Sequence, residues 1–338
     1  MFTKGFLDWR NRDSCIEKLG LAGEGIEAAK AGAVEHVTII VCTYRRPEGI
    51  KRLLNSLDRL DPAAWPFRCV VVDNDSENST LLLGSYSFPL EVVKEERTGI
   101  PWARNAGLEK ALESLDCRFI AFVDDDEEVP SHWLDSLLEV WERTGAPVVT
   151  GPVVPRFEEP PPSWVHSEGL FESESHSTGA ELPVAYTHNV LVEAAVLRHT
   201  GLRFDPRFPR GEDSHFFRSL QKAGYRIVWA EESEVYEWNP RSRFQLGWIL
   251  GREFTSGFIR VRVELHFHPT FLTRAKLFVS SLSRLVKGTG LLLVSPHGPR
   301  GRQIRGLCRL SAGAGRLWAS LGLPYKLGYD LGSAFKRS

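Results

Sequence analysis

Several things are missing from this sequence, and each absence narrows what it can be. Nowhere in the 338 residues does an unbroken apolar run reach the ~18 residues that would mark a membrane span, so no transmembrane helix is expected. The N-terminal stretch MFTKGFLDWRNRD has no continuous apolar segment and does not read as a signal peptide. The five cysteines (Cys15, Cys42, Cys69, Cys117, Cys308) are odd in number and lack metal-site spacing. Cys42 and Cys69 lie in apolar runs as small hydrophobes, and the set reads as reduced thiols of a cytosolic protein. There is no internal repeat. Net charge is almost absent at −1, but this near-zero conceals an asymmetry. From Phe271 to Ser338 there are 12 Lys or Arg against one acid, Asp330, whereas the preceding residues hold 30 basic and 42 acidic side chains. A basic tail suits an anionic membrane surface; the plainer reading is a helical cap with a solvated basic face. No recognised nucleic-acid module accompanies it.

What is present is an ordinary soluble composition, 42% apolar and 25% charged, long enough for two domains or one enlarged α/β domain. The chain is organised around FIAFVDDDEE, residues 119–128. The apolar run Ile120–Val123 suits a buried strand, and three aspartates at its end repel one another unless one is protonated or a cation intervenes. Asp124 and Asp126, two residues apart, allow one carboxylate to reach a metal while its neighbour meets a sugar or ribose hydroxyl. Mg²⁺ and Mn²⁺ take such oxygen ligands and share them with substrate phosphates. An acidic turn or helix start is the competing explanation.

Elements along the chain favour the first. VTIIVC (37–42) predicts a strand, Glu48–Leu60 a helix, Arg68–Val72 a strand, LEVVKEE (90–96) a strand and Trp102–Ser114 a helix before the aspartates. Strands alternating with helices imply an α/β nucleotide-binding fold, whose ligands collect beyond the carboxyl ends of the strands. Thr43, Asp73, Arg97 and Asp124 all fall at such ends. The second half predicts one strand in PVVTGPVVP, a Pro-rich loop, a strand at THNVLV (187–192), a helix His215–Ala223 opened by Gly211-Glu212-Asp213-Ser214, and a strand Tyr225–Ala230.

The ordered set IIVCTYRRPEGIKRLLNSL, CVVVDNDS, RTGIPWARNAGL, FVDDDEEVP, the GPV at Gly151, THNVL and GEDSHFFRSLQKAGYRIVW resembles the family 2 inverting glycosyltransferases over residues 36–240. CTYRRPEG, DNDS, RTGIPWARN, DDDEEVP and VYEWNPRSR are similar to bacterial exopolysaccharide members of the succinoglycan-pathway kind. The resemblance implies an α/β GT-A fold: a mixed central sheet flanked by helices with a C-terminal helical extension. It divides the chain into an N-terminal helical extension (1–35), a GT-A domain (36–244, nucleotide-binding in 36–128 and acceptor-binding in 129–244) and a basic amphipathic helical region (245–338).

Residue by residue, the resemblance places Thr43 and Arg45 in the nucleotide pocket, Asp73 on the uracil N3–H with Asp75 as companion, and Arg104 with Asn105 holding the nucleotide. For Arg104 the structural alternative is pairing with a strand-end acid. Asp124 meets ribose or sugar hydroxyls, Asp125 sugar hydroxyls, and Asp126 a divalent metal, Mn or Mg, that helps the UDP leave. Asp213 becomes the base that deprotonates the acceptor hydroxyl, with Glu212 beside it, although acids at a helix start also cap it. Asn189 falls near the sugar. Glu127 and Glu128 are read as a solvated turn. Many members carry a His after the strand that follows this helix; here the stretch is Val235-Tyr236-Glu237-Trp238, so either Glu237 substitutes as an oxygen ligand or Asp126 and the diphosphate hold the metal alone.

The implied activity is metal-dependent, inverting transfer of a single hexose, glucose by the subfamily resemblance, from a UDP-sugar to an oligosaccharide on polyprenyl diphosphate. Location is cytoplasmic or peripheral on the inner membrane face, with membrane contact through 271–338. A catalytically inactive sugar-nucleotide-binding scaffold is the alternative. A sugar nucleotidyltransferase is weaker, because VCTYRRPEG has one glycine where a phosphate loop needs several.

Overall fold

The computed structural model describes residues 34–60, 65–75, 84–167, 170–171, 175–294 and 300–325. The extension expected over residues 1–35 lies almost wholly outside them. The element order is β1 (His36–Thr43), α1 (Pro47–Leu57), β2 (Phe67–Asp73), β3 (Leu90–Lys94), α2 (Ile100–Leu112), β4 (Cys117–Val123), β5 (Glu127–Glu128), α3 (Trp133–Thr144), β6 (Val148–Thr150) and β7 (Val153–Phe157). Then come α4 (Ser163–Ser167), β8 (Asn189–Glu193), α5 (Ala194–Thr200), α6 (Glu212–Lys222), β9 (Ile227–Trp229), β10 (Val235–Asn239), a 3-10 turn (Arg241–Phe244), α7 (Leu246–Phe267), α8 (Phe271–Val294) and α9 (Arg300–Ser320).

Seven strands form one sheet in the order β3-β2-β1-β4-β8-β6-β9. All neighbours are parallel except β8, which runs antiparallel to both β4 and β6. Period-two alternation sends successive side chains to opposite faces. In β1, Ile39 and Val41 join the layer with Leu53 and Leu57 of α1 and Trp133 of α3. Ile40 joins the opposite layer, with Leu108 of α2 and Phe216, Phe217 and Leu220 of α6. The strands are covered on both sides, as their near-continuous apolar runs require.

The segment expected as one strand, PVVTGPVVP, is two. Gly151-Pro152 breaks it, sending β6 into the large sheet and β7 into a small one ordered β5-β10-β7. Proline lacks the N–H a continuing ladder needs. Added to Gly151, a Cβ would fall on Ser233 and the Asn189 amide. The small sheet sets Glu127, Glu128 and β10 beside the aspartates.

The C-terminal helices pack as a layered group. α7 and α9 cross at backbone contact, since a Cβ on Gly257 would strike the Ala312 carbonyl and one on Gly315 the Phe254 carbonyl. α8 packs on α9 through Gly288 and Gly306. Contrary to the sequence expectation, α8 is long and apolar enough to cross a membrane by length and composition. The count of unbroken apolar residues missed it because Ser, Arg and Lys interrupt it.

Candidate active site

The segments that follow β1 and β4 form the floor of a cleft of about 1790 Å³, with α6 and α7 along another side. At β2, Asp73 is buried and accepts the Asp75 backbone N–H (3.0 Å). Asp75 is gripped by Arg45 at 2.9 and 3.4 Å. Arg45 lines the cleft with φ +55°, a left-handed conformation costly for a side chain with a Cβ. Asn74, passed over in the sequence reading, pins the next loop. Its amide donates to the Glu95 and Arg97 carbonyls (both 2.9 Å) and accepts from Gly99 N–H at 2.9 Å.

The three aspartates separate by direction. Asp124 and Asp126 line the cleft, whereas Asp125 turns inward. Its carboxylate accepts from Thr43 Oγ1 and Arg46 Nη1, both at 2.8 Å. Asp125 and Thr43, expected at the sugar and in the nucleotide pocket, here bond each other and neither lines the cleft. Burial pushes the Asp125 carboxyl up to about 6, and its neighbours Asp126 and Asp124 push the same way, against the opposing pull of Arg46. Glu127 is not solvated as expected. It is 1% exposed and accepts the Asp124 backbone N–H at 2.7 Å, and burial holds its carboxyl well above the usual range.

Asp126 lies between two arginines, Arg46 at 2.9 Å and Arg243 at 2.5 Å. Arg243 also engages Glu237 at 2.7 Å and the Asn239 side-chain oxygen at 3.0 Å. Neither arginine was singled out from sequence; the signals were the doubled Arg45-Arg46 after β1 and the RSR after β10.

Asn189 also takes another task. Its amide is 0% exposed, donates to the Pro152 and Ser233 carbonyls (3.0 and 2.6 Å) and accepts from Trp133 Nε1 at 2.9 Å. These bonds tie β8 to α3 and to the loops around β6 and leave the side chain no face toward the cleft. Asn105 is similarly committed, bonding both backbone polar groups of Phe204 at 2.8 Å. Arg104 adopts the structural alternative. It pairs with Asp124 at 3.4 Å and with Glu212 in a shorter contact, so one buried guanidinium joins the strand end to α6.

Asp213 lines the cleft at the second residue of α6 and accepts the Ser214 N–H at 2.5 Å. Gly211 opens this helix at φ +77°, and a Cβ there would run into Ile259 of α7. Burial pushes the Glu212 carboxyl upward while Arg104 pulls it back. His188 precedes β8 where the register, continued one residue past the Val123–Asn189 pair, sets it opposite Asp124. It stacks on Tyr186 at 5.4 Å, and burial lowers its pKa.

Comparison with known proteins identifies the family. The Glycosyl transferase family 2 profile matches residues 38–201. The succinoglycan biosynthesis protein ExoM of Rhizobium meliloti is 34% identical over 230 residues, 66% of this chain and 73% of that protein. The chain belongs to glycosyl transferase family 2. The glucosyl-dolichyl phosphate glucuronosyltransferase of Haloferax volcanii is 24% identical over 249 residues, covering 68% of this chain and 77% of the relative. Among solved structures, S. aureus TarS 1-349 with UDP-GlcNAc aligns over 86% of this chain and 93% of its own at 17% identity and TM-score 0.48. The fold of this family 2 glycosyltransferase is GT-A, with the mixed sheet and C-terminal helices described above.

Among the described residues no three His, Cys, Asp or Glu side chains converge on one point. The oxygens of Asp124 and Asp126 in the cleft fit a hard divalent cation that takes most of its ligands from a diphosphate. Glu237, engaged by Arg243, is turned to a different use from the one expected.

Proposed function

We propose that this glycosyltransferase moves one hexose, glucose, from a UDP-sugar to a lipid-linked saccharide with inversion, in exopolysaccharide or cell-surface glycan synthesis at the cytoplasmic face of the membrane. The observation that carries the reading is the shared cleft. Asp213 lies in it on a helix tied through Glu212 and Arg104 to Asp124. ExoM's name places that relative in succinoglycan biosynthesis, and the archaeal relative's name pairs a dolichyl phosphate-linked glucose with glucuronosyl transfer.

On this reading Asp73 and Asp75 meet the uracil and Arg45 the nucleotide. Asp124 orients the donor sugar hydroxyls. The acceptor oxygen forms its bond to the anomeric carbon as the bond to UDP breaks, and Asp213 takes the hydroxyl proton. Negative charge gathers on the departing diphosphate, where Arg46 and Arg243 supply fixed positive charge. A divalent cation held by Asp126 and Asp124, when bound, adds Lewis-acid neutralisation there.

The lipid-linked acceptor accords with α8. Phe271, Leu272, Val279, Leu282, Val286, Leu293 and Val294 are its exposed large apolar residues, and at 3.6 residues per turn they fall within an arc of about 140°. The 12-to-one excess of basic residues from Phe271 onward suits anionic headgroups.

The deciding experiment is UDP release from a panel of UDP- and GDP-sugars with Mn²⁺ or EDTA, in wild type, Asp126→Ala and Asp213→Asn. Hydrolysis of one UDP-sugar, dependent on Mn²⁺ and lost in Asp126→Ala, is expected. Asp213→Asn lowers turnover by about 10²-fold or more while UDP still binds. UDP binding without turnover on any saccharide, unchanged by Asp213→Asn, supports the inactive binding protein instead.

A further inference from the structure

The cleft is larger than one nucleotide-sugar requires. Single-ligand pockets run to about 1,000 Å³, and this one encloses about 1790 Å³. The additional wall is α7. Trp248, Arg252, Thr255, Ser256, Ile259 and Arg260 line the cleft at spacings of three and four residues, one face of a helix.

The charges on this wall differ from those elsewhere in the cleft. Arg45, Arg46, Arg52, Arg218 and Arg243 each meet a carboxylate. Among the described residues Arg252 and Arg260 lie in no ion pair; Glu253, beside Arg252, feels its charge without pairing, and Glu264 on the same wall is taken by Arg218. Arg252 is instead flanked by aromatic rings, its guanidinium 5.6 Å from the centroids of both Phe171 and Trp248. Such packing holds the planar fork in place and leaves its N–H donors for an oxyanion. Between the two arginines lies a second observation pointing the same way. Thr255 is 4% exposed and its hydroxyl has no hydrogen-bond partner among the described residues. A buried polar group left unpaired is costly, and a ligand oxygen would relieve it. Arg252 and Arg260 are eight residues, about 12 Å, apart along the axis, with Thr255 and Ser256 between them on the cleft wall.

The wall also adjoins the base. Ile259, against which Gly211 is pressed, sits beside Arg260 and one turn from Thr255. A group bound here shares the cleft with Asp213, two residues after the Gly211 that packs on Ile259.

We propose that the α7 wall, with Arg252 and Arg260 as its cations and Thr255 and Ser256 as its hydroxyls, binds a phosphate or diphosphate group carried by the acceptor. This rests on the glycosyltransferase reading above for the word acceptor, but the anion site itself is independent of turnover.

The test is calorimetric titration of the full chain saturated with UDP, so that the donor site is blocked. The probes are inorganic pyrophosphate, farnesyl diphosphate and farnesol. Pyrophosphate and farnesyl diphosphate bind and farnesol does not. Arg252→Gln and Arg260→Gln each weaken both anions about tenfold or more, and Thr255→Val weakens them less. Lys110→Gln, on α2 and away from the cleft, changes nothing, and UDP affinity in every variant equals wild type, which also reports that the variants fold. Farnesyl diphosphate binding much more tightly than pyrophosphate identifies a lipid-borne phosphate; equal affinities identify a soluble phosphate-bearing acceptor. The site is overturned if the UDP-saturated protein binds neither anion, or if both arginine variants bind them as wild type does. Failure to bind UDP at all instead sinks the donor reading and leaves anion binding to be judged on the arginine variants alone.

Discussion

Arg104 on α2 is ion-paired with Glu212 on α6, 108 positions later in the chain, and both side chains are buried. The same guanidinium reaches Asp124 at the end of β4. One cation thus ties the end of β4 to the helix that carries Asp213. Removing one member of a buried pair leaves the other charge uncompensated, at about 3–5 kcal/mol. Arg104→Ala is expected to lose stability on that scale in urea melts. Arg104→Lys keeps the charge but not the two-armed geometry, so it retains fold and UDP affinity while kcat falls. Equal losses in kcat and UDP affinity for the lysine variant would mean that Arg104 binds the nucleotide itself.

The start of α6 is held from its other side by Gly211. Its φ of +77° suits glycine, and Ile259 fills the space a Cβ would occupy. Gly211→Ala therefore meets two penalties, backbone strain of about 1–2 kcal/mol and a collision with α7. Ile259→Ala relieves only the second. The double variant is expected to recover part of the lost activity and not all of it, measured as UDP release per folded molecule. Complete rescue would assign the whole effect to Ile259, and no rescue would assign it to φ.

Burial of Asp125 predicts a pH dependence. Its carboxyl titrates near 6 in the fold against an ordinary 3.8, chiefly because it is buried. A carboxyl with a raised folded pKa contributes stability that is present below 3.8 and lost as pH rises through 6. The shift is worth about 3 kcal/mol across that window. Asp125→Asn cannot ionise, so its stability relative to wild type improves between pH 4 and pH 7. Urea melts of both proteins at four pH values check this. Parallel curves would mean that the Arg46 and Thr43 contacts hold Asp125 at its ordinary pKa.

These residues also show how much the sequence made legible. The strands and the helices between them were readable because buried parallel strands are apolar runs with turn residues at their ends. The aspartate run announced a site for the same reason. What its spacing could not say was which carboxylate faces the cleft. Asp124, Asp125 and Asp126 differ in direction because a buried Thr43 hydroxyl and the Arg46 side chain, both from the β1 end, capture the middle one. Asn189 is a polar residue in an apolar strand, which reads as functional until its partners are known. Those partners, Trp133, Pro152 and Ser233, are 37 to 56 residues away. Arg243 escaped notice because its carboxylate partner, Asp126, is 117 residues distant. The one-strand reading of PVVTGPVVP failed at Gly151-Pro152, where sheet membership changes.

The last prediction concerns α8. Its outward residues are strongly exposed, Phe271 at 87% and Val286 at 72%, while its other face is bonded to α9. Arg316 donates to Ser280 at 2.8 Å and Arg274 to the Ser320 carbonyl at 3.0 Å. On the proposed reading, a helix fixed along one side and apolar along the other lies in an interface, even though its length would permit crossing. Lys276 and Lys287 border the apolar arc, and each lysine near an anionic surface is worth about 1 kcal/mol. The full chain is therefore expected to float with phosphatidylglycerol-containing vesicles and much less with purely zwitterionic ones, and to be released by salt. Val279→Asp with Val286→Asp reduces partitioning by about tenfold or more, because two charges replace exposed apolar groups that would enter the lipid. Lys276→Gln with Lys287→Gln lowers it by a similar factor at low salt only. Sedimentation separates this from self-association. If the aspartate pair converts a dimer to a monomer and vesicle binding was never present, the apolar arc is covered by a second copy of the chain and not by lipid.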